Sequence, residues 1–131
     1  MQLQALHNNH SPHSDAGIEV LYRFAGFDPF QRTSYFGVTL DLGQYERFRR
    51  IMYTPYFVSL LNLSDWELIS SLEVSETQWV ARVHVVNAYR KEARNYLFWM
   101  EQRIGSKYDG VWYCSKLLAE GLTPKTLYGV I

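Results

Sequence analysis

Two stretches rich in Trp, Val, Ile and Leu, residues 66–74 and 77–87, are separated only by Ser75-Glu76. A connection that short joins strands as an antiparallel hairpin, because a parallel crossover needs a dozen or more residues. Two further β-rich stretches follow, 94–104 and 111–118. They are set off by the polar connections Tyr89–Ala93 and Gly105–Gly110, the second containing Asp109-Gly110. β-Branched and aromatic residues broken at this spacing by turn residues predict a four-stranded antiparallel meander.

The chain before Asp65 reads as helix and turn. Residues 2–6 have the character of a helix end, with Leu3 and Leu6 on its apolar side. The run from His7 through Pro12 to His13 breaks it, since Asn, Ser and Pro favour turns. Ser14 or Asp15 is placed to cap the next helix by accepting a free backbone N–H. Ile18, Leu21, Tyr22 and Ala25 then recur at i, i+3, i+4 and i+7 and mark its buried face, and Gly26 and Pro29 end it. Residues 28–40 form an irregular connection holding Tyr35-Phe36-Gly37. Asp41 and Gln44 fit a capping box for a third helix. Its inward stripe is Tyr45, Phe48 and Met52, with Ile51 beside it. Pro55 restarts a turn at a position where its missing N–H costs nothing, and Tyr56, Phe57, Leu60 and Leu61 pack inward. Helices followed by an antiparallel sheet of about four strands define an α+β domain over residues 1–121, with a tail over 122–131.

A chain of 131 residues builds one core, and 47% apolar residues suffice to fill it, which excludes disorder. Thirteen basic residues balance thirteen acidic ones. That balance removes the general attraction for phosphate and argues against nucleic acid as a partner. No apolar run approaches the ~18 residues of a membrane span. The start of the chain lacks the basic-then-apolar pattern of a secretory signal, so none is expected. The lone Cys114 closes no internal disulfide, which points to a reducing, intracellular compartment.

Several short motifs occur in a characteristic order: Gln2-Leu-x-Ala-Leu, Asp15-Ala-Gly-Ile, Arg23-Phe-Ala, Arg47-Phe, then Tyr56 with Leu60-Leu61, and Gln102-Arg103 followed by Asp109-Gly110-x-Trp112. Over residues 2–121 the chain resembles a family found in plants, algae and bacteria. That family belongs to the nuclear-transport-factor-two-like, cystatin-like α+β superfamily. The resemblance implies a strongly curved antiparallel sheet around an N-terminal helix, forming a cone with an apolar mouth, and a plastid location. The family has no established reaction, so no catalytic residue, cofactor or metal carries over. Where the family commonly has Ala-Ser-Pro after Arg-Phe, this chain has Ala25-Gly26-Phe27, and its first helix is shorter.

His7, His10 and His13 lie three apart, but Pro12 and the two Asn residues oppose the continuous helix that would align them on a metal. Arg47, Arg49 and Arg50, with Arg23 and Arg32 upstream, suit a solvated face pairing with Glu46, or an interface with an acidic partner. Strand alternation sets Tyr96, Phe98, Met100 and Gln102 against Leu97, Trp99, Glu101 and Arg103. It likewise sets Trp79, Ala81, Val83 and Val85 against Val80, Arg82, His84 and Val86, and puts Trp112, Cys114 and Lys116 together. Both faces carry apolar groups, whereas a sheet covered on one side should be wetter on the other. The second face is therefore the expected contact surface, with Leu97, Trp99, Arg82, His84, Arg47 and Arg50 as interface residues. His84 suits proton transfer only where register brings it an acid from Asp65, Glu67 or Glu73. Cys114 reads as a small buried hydrophobe.

The expected function is a non-catalytic interaction module with a protein partner or a second copy of itself, as a homodimer through the open sheet face or an accessory subunit of a larger plastid assembly. The alternative is a binder of a small apolar ligand, or an isomerase- or dehydratase-like enzyme. Its cone pocket would be lined by some of Phe24, Phe48, Trp79, Phe98, Met100 and Trp112.

Overall fold

The computed structural model describes residues 2–11, 13–25, 33, 35–37, 40, 42–102 and 112–121. Three α-helices come first: α1 (Gln2–His7), α2 (Ala16–Ala25) and α3 (Tyr45–Met52). A single 3-10 turn, Val58–Leu60, leads into the sheet. The strands are β1 (Asp65–Ser75), β2 (Gln78–Asn87), β3 (Glu92–Gln102) and β4 (Trp112–Ala119). They pair antiparallel in the order β1-β2-β3-β4, in a curved sheet that does not close, so the arrangement is α+β as read from the sequence. Gly26, Pro29, Arg32, Asp41, Arg103, the 105–110 connection and the 122–131 tail lie outside the described residues, as does Pro12.

α1 and α2 meet through two residues. Gly17 sits where a Cβ would come within 2.5 Å of the Ala5 carbonyl oxygen and 2.8 Å of Asn9 Oδ1, so only a glycine lets the two backbones approach this closely. Asn9, fully buried in the break between the helices, takes the Gly17 N–H on its carbonyl at 3.0 Å and the Ile18 N–H on Oδ1 at 3.1 Å. This corrects the expected cap. Ser14 and Asp15 do not satisfy those first N–H groups; an asparagine from the preceding turn does, while Asp15 adopts a left-handed conformation (φ 59°) and turns its carboxylate elsewhere. α3 differs in the same way. Gln44, expected at the third helical position, is itself the N-cap, extended and with no side-chain hydrogen bond, while Asp41 lies outside the described residues.

The predicted faces of the helices are the observed ones. Ile18, Leu21 and Ala25 of α2 are buried with Phe48, Ile51 and Met52 of α3. They join Phe57, Leu60 and Leu61 against Ala81, Val83, Val85, Tyr96 and Phe98 on the sheet. An aromatic chain runs through this core, with ring centroids 4.8 Å apart for Phe36–Phe57, 5.4 Å for Phe36–Phe48 and 6.1 Å for Phe57–Tyr96. Such tilted pairs add about 0.5–1.5 kcal/mol each beyond the area they bury.

Asn87, at the end of β2, is buried among polar partners. Its amide donates to the carbonyls of Ser59 and Leu61, both at 3.0 Å, and its Oδ1 accepts the Arg90 N–H at 3.1 Å. One side chain thus pins the 3-10 turn to the β2–β3 hairpin and pairs the carbonyls of buried Ser59 and Leu61 along with the N–H of exposed Arg90.

Candidate functional site

The two margins of the sheet differ. Along β4, residues 35–37 lie against the strand: the Leu117 N–H donates to the Tyr35 carbonyl at 2.9 Å, and Gly37 abuts Leu118. Along β1, no described segment hydrogen-bonds to the side facing away from β2. All eleven residues of β1 are exposed. Among them Trp66, Leu68, Ile69, Leu72 and Val74 are between 38% and 65% accessible. An unpaired strand edge offers a row of free N–H and C=O groups to any extended chain, and a long apolar one is a pairing template.

Register decides which face each of these side chains occupies. Trp66 lies opposite Val85 and Leu68 opposite Val83, on the core side. A shift between Leu68 and Ser70 then reverses the alternation, so that Leu72 lies opposite Val80 on the outer side. A second shift follows between Glu73 and Ser75. The apolar residues of β1 are therefore divided between both faces of the margin.

The outer face brings the strand residues predicted for an interface together. Val80, Trp99 and Lys116 form one row across β2, β3 and β4, with the Lys116 ammonium 5.8 Å from the Trp99 ring centroid. Arg82, Leu97 and Leu118 form the next. Lys116 is thus on the opposite side from Cys114, contrary to simple alternation, because the β3–β4 register shifts between Trp99 and Met100. Beyond these rows a polar chain crosses the sheet. His84 Nδ1–H donates to Asn95 Oδ1 at 2.7 Å, Asn95 donates to Glu120 at 3.1 Å, and the Arg82 guanidinium closes on the same carboxylate. The Arg82 contact holds Glu120 below, and Arg82 above, its ordinary pKa. Register does set Glu67 opposite His84, but on the open face of the sheet and not within a cavity. Arg47 and Arg50 stand exposed on α3, apart from these strand residues in sequence and element. Arg49 between them pairs with Asp15 and Glu46.

The residues expected to line a cone pocket are distributed otherwise. Phe48 and Phe98 are buried core residues, and Trp79 and Met100 pack against that core. Phe24 and Trp112 are partly exposed. None of the six borders the cleft that the described residues do form. This cleft, about 730 Å³, lies between the end of α1 (His7, His10), Tyr53 after α3, the 58–64 segment, and the hairpin residues Asn87, Tyr89 and Arg90. His7 Nδ1–H donates to the Leu63 carbonyl at 2.6 Å, leaving Nε2 as an acceptor in the neutral ring. His10 Nδ1 accepts the Asp15 N–H at 3.1 Å, leaving Nε2–H as a donor. The two rings therefore present opposite hydrogen-bonding characters. His13 is engaged elsewhere, 3.2 Å from Glu19, so the three evenly spaced histidines have three separate attachments. No group of three metal-ligating side chains gathers among the described residues.

Cys114 is buried, and desolvation raises its thiol to about 12. At that value it stays protonated and is no nucleophile.

Sequence reasoning placed the contact surface on β2 and β3 and passed over β1. Asp65-Trp66-Glu67-Leu68 and Leu72-Glu73-Val74 interleave acids with apolar residues, the pattern of a strand with one wet face, and nothing local in it shows that the edge is free. The cleft draws on four separated segments, and no local pattern marks it.

No known protein family, curated protein or solved structure matches this chain.

Proposed function

We propose that this chain is a non-catalytic protein-interaction module that engages its partner along the β1 margin and the adjoining outer face of the sheet. The observation that carries this reading is β1 itself, an eleven-residue strand whose every residue is exposed, with five large apolar side chains and an edge that no described segment pairs. Strand addition at such an edge supplies main-chain hydrogen bonds for affinity and alternating side chains for specificity. Leu97, Trp99, Arg82 and His84 extend the surface inward from that edge. The helix-then-meander order is what a nuclear-transport-factor-two-like domain would have. The resemblance takes the reading as far as an accessory subunit of a plastid assembly.

The test compares the wild type with the Leu68→Gln/Leu72→Gln double variant. Absolute mass is measured by light scattering over a range of concentrations, and retention of displayed peptides is measured beside it. Association of either kind that the double variant loses, with its circular dichroism unchanged, supports the reading. No association, or association indifferent to the variant, overturns it.

A second reading, a small-molecule binder, is favoured by the cleft at His7, His10, Tyr53 and Arg90, whose size suits a small ligand. Movement of the His7 and His10 ring resonances on titration with small carboxylates, saturating at millimolar concentration or below, would support it. Unmoved resonances would remove it.

A further inference from the structure

The acidic residues of the described chain fall into two groups. Asp15, Glu19, Glu46, Glu92 and Glu120 each have a cationic or histidine partner within 4 Å. Glu101 accepts hydrogen bonds from Gln78 and Tyr113. Four remain: Asp65, Glu67, Glu73 and Glu76. All four belong to β1 or the turn that follows it, and none has an ion-pair partner among the described residues. Asp65 does no more than accept the N–H of its own neighbour Trp66. No Lys or Arg occurs between Arg50 and Arg82, so β1 itself brings no positive charge to the margin.

Resting on the reading of β1 as a docking margin, we infer that its occupant is an extended segment of another protein in which Lys or Arg alternates with apolar residues. It would add as a fifth strand beside β1. The charge pattern and the apolar pattern point to the same partner. On the outer side Glu67 lies opposite His84, and on the core side Glu73 lies opposite Trp79. A basic residue on either face of an added strand therefore finds an acid across from it, and cross-strand pairs of opposite charge are favourable where like charges are not. Apolar residues between them meet Trp66, Leu68 and Leu72.

The same features disfavour a second copy as the occupant. Self-pairing along this edge would bring together two copies of the same four acids, Asp65, Glu67, Glu73 and Glu76, from a stretch that contains no Lys or Arg between Arg50 and Arg82 to offset them. Two register shifts within β1 further roughen the edge against a copy carrying the same shifts. Acids and bulges of this kind are how natural sheets protect an exposed edge from self-association. They leave the edge available to a segment of complementary charge.

The experiment is selection from a library of displayed random nonapeptides on the purified full chain. The Leu68→Gln/Leu72→Gln and Glu67→Lys/Glu73→Lys variants are run in parallel; all four positions are exposed, so neither variant threatens the core. The expected result is enrichment of peptides with Lys or Arg at alternate positions. Their binding weakens roughly fivefold or more between low and high salt, is lost on the apolar variant, and gives way to acidic peptides on the charge-reversed one. Peptides that need Leu68 and Leu72 but are uncharged or acidic, and indifferent to charge reversal, overturn the basic partner and leave the docking margin standing. Self-association that the apolar variant abolishes does the same, by making a second copy the occupant. Absence of enrichment, or enrichment indifferent to both variants, overturns the margin itself and the basic partner with it.

Discussion

Arg49 of α3 and Asp15, the residue leading into α2, meet with Nε 2.7 Å from Oδ2 although 34 positions separate them. The same carboxylate accepts the Tyr53 hydroxyl and, at 3.0 Å, the Asn9 amide. Asn9 in turn holds the first turn of α2. One buried acid therefore joins the α1–α2 break, the start of α2 and the end of α3. Asp15 itself sits in a left-handed conformation that Asp tolerates better than most residues.

Asp15 should make stability depend on pH. Burial alone would raise its pKa, yet the hydrogen bonds from Tyr53, Arg49 and Asn9 outweigh that and hold it below the ordinary 3.8. A carboxylate with a lowered folded pKa contributes stability that is fully present above the unfolded value and is lost as pH falls through the folded one. Asp15→Asn is expected to cost about 1–3 kcal/mol at pH 7. The gap from wild type should narrow as pH drops below 3.8. Arg49 is over one-third exposed, so solvent screening leaves its ion pair a minor part of this total. Urea unfolding of both proteins at pH 7 and pH 3 measures it.

Gly17→Ala should be more damaging than its single methyl suggests. The new Cβ would meet a backbone carbonyl at 2.5 Å, and that oxygen belongs to α1, not to a movable side chain. The helices must separate, at an expected cost of about 1–3 kcal/mol. The shift of the urea midpoint reads it, and amide exchange of Leu6 and Ile18 should quicken more than that of β3.

Cys114 should ignore thiol reagents in the native protein. Its thiol, raised to about 12 by burial, is protonated at pH 8 and shielded from attack. Labelling by a chromogenic disulfide reagent is expected to follow the urea unfolding curve. Rapid labelling without denaturant would show that the β4 core face opens on its own.

Stability and docking should separate by position. Leu72→Gln, on the exposed margin, is expected to change the unfolding free energy by no more than about 0.5 kcal/mol. Phe48→Ala, at the centre of the aromatic core, should lose about 3–5 kcal/mol. Equilibrium denaturation of the two variants side by side tests this. A Leu72→Gln loss comparable to the Phe48→Ala loss would mean that β1 is held by contacts deeper than its exposure indicates.

The sequence made the strands legible because their signals are local. The predicted 77–87 became Gln78–Asn87, and the Val83, Val85, Tyr96 and Phe98 face points inward as alternation requires. The stripe of Ile18, Leu21 and Ala25 was equally plain. Alternation failed at the register shifts in β1 and between β3 and β4, where one extra residue inverts every later side chain and sends Lys116 to the side opposite Cys114. The expected cap of α2 failed because its donors found Asn9, a fully buried residue outside the helix. Phe48 and Phe98 were read as pocket walls, but apolar side chains at core positions fill the space that they enclose. The cleft and the bare edge of β1 arise only from how distant segments stack.

The covering of β4 by the Tyr35 segment gives the sheet a direction of growth. With that margin met by the chain's own segment at Leu117, a partner strand is received at β1 and not at β4, so this sheet offers one edge for pairing. The expected stoichiometry is one partner segment per chain, and the expected assembly is a closed pair, not a fibre. A domain arranged this way acts as a terminus: it can complete another protein's strand without passing the pairing on.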